Sequence, residues 1–329
     1  MQHRTLGRTG RDVSVIGLGT WQLGADWGEV SEADARAVLD ASLASGVTFF
    51  DTADVYGDGR SESLIGAWRR DRPEAADVTV ATKMGRRLDQ IPSNYVLENF
   101  RAWTDRSRRN LGVDTLDLVQ LHCPPTAVYS DDEVFDALDT LVAEGVMANY
   151  GVSVETTDEA LTAIARPNVA TVQIILNAFR LKPLDAVLPA AADAGVGIIA
   201  RVPLASGLLS GRYTHETSFA ANDHRTYNRH GEAFDQGETF SGVDYDEGVE
   251  AAREFSLLVS GAGLQPAEAA LAWVSQLPGV STVIPGARNV AQAQANAAAG
   301  SVDPLGAAFT EAIWELYDRR FREAVHPRW

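Results

Sequence analysis

The sequence of 329 residues is poor in several things at once. It has one cysteine, Cys123, which excludes an intramolecular disulfide and a thiolate metal cluster. His215, His224 and His230 fit no helix-face ligand spacing, so no metal is expected. No apolar run approaches the ~18 residues of a membrane span, and the opening Met1-Gln2-His3-Arg4 is not a signal-peptide pattern. A cytoplasmic protein without a membrane partner is therefore expected. Basic residues are scarce too: 28 Lys and Arg stand against 45 Asp and Glu, a net charge of −17. That balance argues against nucleic acid and anionic lipid as partners. No Gly-x-Gly-x-x-Gly follows an apolar run, so an open dinucleotide-binding sheet lacks its signature. Lysine is almost absent. Only Lys83 and Lys182 occur, which makes a lysine at a strand end either compositional chance or a chemical requirement that arginine cannot meet.

What is present is a regular alternation. A hairpin is expected at 4–14, followed by a first strand at Val15–Gly19. Apolar strands then recur near 47–50, 78–82, 116–121, 147–152, 170–175, 197–200 and 280–284. Helical spacing follows them near 32–45, 61–70, 93–111, 131–144, 157–165, 184–194, 246–260, 267–276, from 289, and 305–321. Near-continuous apolar strands alternating with helices imply a parallel sheet buried on both faces. Eight such repeats, joined by short connections, imply one closed (β/α)8 barrel over residues 1–329, with an N-terminal β-hairpin and a long loop after strand 7. That loop, 211–245, either folds over the site or is a disordered insertion.

In such barrels the chemistry gathers at the C-terminal ends of the strands. Asp51, Lys83 and His122 end the second, third and fourth strands, and Tyr56 follows Asp51 by five residues. A carboxylate at the mouth of an apolar strand needs a partner, and Lys83 is the natural one. The lysine ammonium is expected to lower the Tyr56 pKa by ~2–3 units and make the phenol a useful acid. Asp51 would anchor Lys83, and His122 would align a carbonyl oxygen. The set suits hydride reduction of a carbonyl or its reverse, and with no hydride of its own the protein needs a nicotinamide cofactor. Cys123 is expected to point away from His122, since neighbouring strand residues face opposite sides. A barrel aldolase or isomerase using Lys83 as a Schiff base is the competing enzyme reading.

The stretches Gly17–Trp21, Phe50–Gly57, Lys83, Leu121-His122, Pro203–Gly211 and Ile284–Arg288 resemble the aldo-keto reductases, across nearly the whole chain. Within them the sequence is most similar to the bacterial branch of general-stress reductases and sugar or polyol dehydrogenases. The resemblance implies a (β/α)8 barrel, the same four roles, a small carbonyl substrate, and NADPH ahead of NADH. It implies that Ser153 and Gln173 hold the nicotinamide amide, with Val154 where many members have asparagine, and that Arg201 stacks on the ring. Gly19, Thr20, Trp21, Pro203, Leu204, Ser206, Gly207 and Ser210 would lie along the cofactor. At the 2′-phosphate many members have lysine and serine. Here Pro285, Gly286 and Ala287 precede Arg288, which would serve instead, with Gln292 and Asn296 at the adenine end. Trp21 and Trp27 wall the substrate site, with Tyr56 and His122, or else lie in core or surface. The rival reading is a cofactor-binding regulatory protein of the same fold with little turnover. The oligomeric state, monomer or homo-oligomer, is left open.

Overall fold

The computed structural model describes residues 1–24 and 30–329. Trp27 lies outside the described residues. Two short strands, β1 (His3–Thr5) and β2 (Asp12–Ser14), pair antiparallel and form the expected hairpin. Gly7, at φ +49°, sits so close to the start of a later strand that a Cβ would lie 2.1 Å from the Gly197 nitrogen. Only glycine allows both the left-handed backbone and that approach.

Eight parallel strands follow: β3 (Leu18–Gly19), β4 (Phe49–Asp51), β5 (Thr79–Met84), β6 (Leu118–His122), β7 (Tyr150–Ser153), β8 (Val169–Ile175), β9 (Gly197–Arg201) and β10 (Val280–Val283). They pair in chain order. Bridges Ile16↔Val283 and Gly19↔Gly286 join the first strand region to the last and close the barrel. The expected (β/α)8 architecture is therefore what the chain adopts.

The helices are α1 (Glu32–Ala44), α2 (Arg60–Arg70), α3 (Leu97–Leu111), α4 (Asp132–Ala143), α5 (Thr157–Ile164), α6 (Val187–Ala194), the single turn α7 (His224–Tyr227), α8 (Tyr245–Ser260), α9 (Pro266–Gln276), α10 (Val290–Ala298), α11 (Gly306–Arg320) and α12 (Arg322–Val325). Their starts are written in the sequence. Ser31 caps α1 by accepting from the Asp34 N–H, and Thr156 with Glu159 forms a capping box on α5. The third helix begins later than its spacing implies, because Pro92 initiates a separate 3-10 turn at Pro92–Asn94.

Strand alternation divides the core. Phe50, Val80, Val119 and Leu121 face the helices, within the large cluster between sheet and helical ring. Phe49, Ala81, Leu118 and Ile199 point inward, and Leu6 and Val13 of the hairpin close over them. The N-terminal end of the barrel is thus a dry apolar plug.

The 211–245 segment is folded rather than a disordered insertion. Phe219 packs on Phe240 with centroids 5.9 Å apart, Phe240 packs on Tyr245 at 5.0 Å, and Arg225 lies 4.3 Å over the Phe219 ring. The Asn228 side-chain oxygen accepts from the Ala233 and Phe234 N–H groups, both at 2.9 Å. The C-terminal residues pack behind this loop. Trp329 stacks 4.1 Å from the Arg180 guanidinium and donates to Asp235 at 3.2 Å. Among the described residues, no helix is long and apolar enough to cross a membrane.

Candidate active site

The inward-facing register that gives Phe49, Ala81 and Leu118 at the bottom gives Asp51, Lys83 and Gln120 one pleat higher. Asp51 pairs in register with Ala81, and Lys83 with Gln120. Lys83 is 1% exposed and Asp51 2%, so each needs the other. The Lys83 ammonium donates to Asp51 Oδ1, to the Thr52 carbonyl at 2.9 Å and to the Tyr56 hydroxyl at 3.2 Å. Its three N–H bonds are all used. Asp51 Oδ2 accepts from Gln173 Nε2 at 2.8 Å and from Gln120 Nε2 at 3.1 Å. The Tyr56 ring stands edge-on to His122, 6.0 Å between centroids. Asp51, Tyr56, Lys83 and His122, drawn from three strand ends and one loop, are brought together as expected.

The electrostatics differ from the expectation in one respect. Desolvation pushes the Tyr56 phenol above its ordinary pKa, and Lys83 pulls it down by less. Lysine therefore does not leave a phenol poised near neutrality; burial of a group that would carry charge outweighs one cation that Asp51 already largely neutralises. Desolvation also opposes the Lys83 charge, but Asp51 and then Tyr56 outweigh it and hold its pKa above the ordinary value. His122 goes the other way. Burial and the charges of Arg86, Lys83 and Arg201 drive it well below 6.5, so it is a neutral imidazole.

A cleft of about 730 Å³ opens over Asp51 and Tyr56, while Lys83 and His122 are not among the residues that line it. Gly19, Thr20, Trp21, Tyr56, Gln173, Arg201, Pro203, Leu204, Ser206, Gly207, Ser210, Pro285, Gly286, Arg288, Gln292 and Asn296 all line it. Two expected cofactor contacts do not. Ala287 is 1% exposed and belongs to the core, because the chain turns inward between Gly286 and Arg288. Ser153 is 1% exposed, with its hydroxyl 3.5 Å from Cys123 Sγ. Trp21 walls the site: it stacks on Tyr56 at 5.9 Å and meets His224 at 5.2 Å and Phe234 at 6.0 Å from the 211–245 loop. The other two loop histidines lie elsewhere. His215 bridges Asp246 and Glu250, each at 2.8 Å, on the exposed face of α8, and the His230 N–H donates to Glu232.

Arg201 sits in a buried cluster of charged groups. Its guanidinium lies 3.0 Å from Glu155 and 3.7 Å from Glu238, and donates to the Val154 carbonyl at 3.0 Å. Arg86 donates to the His122 carbonyl at 3.1 Å and to Glu238 at 3.3 Å. Burial opposes the Glu238 charge, yet Arg201 and Arg86 hold its carboxyl down at about 2, while burial raises Glu155 to about 7. Glu238 thus fastens the long loop to the barrel rim. Cys123 belongs to the same cluster, contrary to the alternation rule. It lies past the end of β6 with φ +49°, so the pleat no longer governs it, and Arg201 Nη2 approaches its sulfur at 3.8 Å. Burial, its largest influence, pushes the thiol up to about 12, leaving it protonated.

Of the residues that sequence reasoning missed, Gln120 had a signal: it is polar, inside an apolar strand and two residues before His122, hence on the same face. Arg86, Glu155 and Glu238 had none, lying in loops without periodicity.

A closed parallel barrel with a buried Lys83–Asp51 pair and the half-buried Tyr56 beside it, at the strand ends under a cleft of about 730 Å³, defines a strand-end class of oxidoreductase. Residues 15–318 match the model of the aldo/keto reductase family. The chain is 28% identical over 301 residues to the aldo-keto reductase YhdN of Bacillus subtilis, covering 90% of this chain and 87% of that one. It is 29% identical over 328 residues to a probable voltage-gated potassium channel subunit beta of Oryza sativa subsp. japonica, covering 93% of each. Among solved structures it superimposes on the aldo-keto reductase AKR11C1 of Bacillus halodurans (holo form) with a TM-score of 0.78, at 27% identity and 99% coverage of both chains. The chain belongs to the aldo/keto reductase family, and as such is an NAD(P)H-dependent oxidoreductase acting on small carbonyl compounds.

Proposed function

We propose that this protein reduces aldehyde, ketone or sugar carbonyls with Tyr56 as the proton donor and NADPH as the preferred cofactor. The reading is supported above all by Lys83, whose ammonium is shared between Asp51, the Thr52 carbonyl and the Tyr56 hydroxyl.

The cleft suits a nicotinamide dinucleotide. It runs from Tyr56 and Gln173 past the kinked turn at Ala205–Ser210 to Arg288, Gln292 and Asn296. A Cβ at Gly286 would lie 2.2 Å from Gln22, so the chain there is pared to backbone along the floor. Arg288 is exposed and lines the cleft, which supports a phosphate-binding role for its guanidinium. Bound there, the reduced nicotinamide supplies the hydride.

The chain supplies the rest. Tyr56, held protonated by burial, gives its proton to the carbonyl oxygen. The phenolate that develops is 3.2 Å from the Lys83 ammonium, so its charge is stabilised as it forms, without reorganisation. Asp51 fixes Lys83, and Gln120 and Gln173 fix Asp51. His122, neutral, has an N–H to orient the substrate oxygen but no proton to release at neutral pH. Trp21 and Phe234 exclude water from one side.

Mixing wild type or Tyr56→Phe with NADPH or NADH and a carbonyl panel, and following reduced-nicotinamide absorbance, tests this. Turnover by the wild type, reduced about 10²–10⁴-fold in a variant that still binds cofactor, is expected. Equal turnover by both removes Tyr56 as the acid. Tight cofactor binding without turnover in either favours a binding role, the reading that the name of the rice relative brings forward.

A further inference from the structure

Asp54 takes no part in the mechanism above, yet it stands between Asp51 and Tyr56 on the loop that carries the proton donor. It is 0% exposed, and among the described residues neither carboxyl oxygen has a well-formed hydrogen-bond partner; the neighbouring Val55 N–H favours its charge, but as the smallest of the influences acting on it. Its main chain is well held. The Asp54 N–H donates to the Lys83 carbonyl at 3.1 Å, and its own carbonyl accepts from Arg106 Nη1 at 2.9 Å. The loop bearing Tyr56 is therefore tied to the strand bearing Lys83 at this residue.

The charges acting on the carboxyl come from each side. Glu62 of α2 is also 0% exposed and is committed elsewhere, accepting from Thr82 at 2.6 Å and from Asn110 at 2.8 Å. Arg106 of α3 and Arg87, after β5, would favour ionisation, but both guanidinia pair with Asp58, at 2.8 and 2.6 Å. The Tyr95 phenol, on the same side, feels Asp54 only weakly. An unpaired carboxylate is strongly disfavoured in such a place, and a second buried carboxylate adds repulsion. Desolvation first and Glu62 second push Asp54 up to about 7.

We propose that Asp54 is a positioning residue: as a neutral acid it packs beneath the β4–α2 loop and holds Tyr56 against Lys83, and its ionisation draws water under the loop and displaces Tyr56. The inference rests on Tyr56 being the proton donor.

Two measurements on wild type, Asp54→Asn and Glu62→Gln test it. The first is thermal unfolding against pH without cofactor. An acid raised from an unfolded value of ~3.9 to about 7 in the fold gives stability that is full at low pH and lost as pH rises through that window. Asparagine mimics the neutral acid at every pH, so the melting temperature of Asp54→Asn should gain on wild type from acid to alkaline buffer. A difference independent of pH overturns the buried neutral acid. The second is the kcat profile. Wild type should fall several-fold across neutrality, Asp54→Asn should flatten that fall, and Glu62→Gln should move it to lower pH by removing the repulsion. Parallel profiles in all three, with the melting difference present, overturn the positioning role. Failure of the functional reading shows separately, as a wild type without turnover whose melting curves still diverge.

Discussion

The two ends of this barrel are made by the same strands in the same alternation and are chemical opposites. At the N-terminal end Phe49, Ala81, Leu118 and Ile199 meet Leu6 and Val13 of the hairpin in a dry plug. Two residues further along the strands stand Asp51, Lys83, Gln120 and Arg201, where Lys83 pairs with Asp51 and Arg201 with Glu155. Parallel strands all run one way, so whatever stands at their carboxyl ends is collected in one ring. The contrast shows a division of labour. The apolar end offers a close-packed, incompressible base. The polar end can then hold three buried donors on Asp51 without the loops having to be rigid in their own right.

The sharpest way to break this comparison is Lys83→Met. It strands the Asp51 carboxylate, which is 2% exposed, so a loss of roughly 3–5 kcal/mol in denaturant melts is expected together with nearly complete loss of turnover. Unchanged stability would mean that Asp51 finds water or another donor, and that the polar end is looser than described. Phe49→Ala comes next. It opens a cavity in the plug and should cost about 3–5 kcal/mol, while kcat stays within roughly threefold of wild type. A collapse of kcat at temperatures where the variant is still folded would show that the two ends are not independent. The smallest effect sharpens the contrast within the polar end. Arg288→Ala, far from the reacting atoms, should weaken NADPH binding about tenfold, or ~1.4 kcal/mol, and leave NADH unaffected in fluorescence titrations. Equal losses for both cofactors would deny Arg288 a role at the 2′-phosphate.

Much of this was legible in the chain itself. Eight apolar runs with helical spacing between them imply the barrel, and Asp51, Lys83 and His122 could be placed at the ends of adjacent strands by counting. Near-absence of lysine made Lys83 conspicuous. Other features were not legible, each for a physical reason. Cys123 leaves the pleat because its backbone turns left-handed one residue past β6, which no local pattern announces. Ala287 sits among cofactor-lining neighbours yet turns into the core. The ionisation of Tyr56 depends on how much solvent the finished site removes, a quantity spread over the whole rim and not written beside the residue.

The sequence by itself determined the order of strands and helices, the polarity of each strand end and the resemblance to one family, because periodicity and strand-end chemistry are local properties. Only the tertiary structure decided which polar groups meet. Gln173 reaches Asp51 across 122 residues, and Glu238, from a segment without periodicity, clamps onto both Arg86 and Arg201. Such pairings depend on how the closed barrel and its loops bring distant segments into register, and that is settled only when all eight strands have packed.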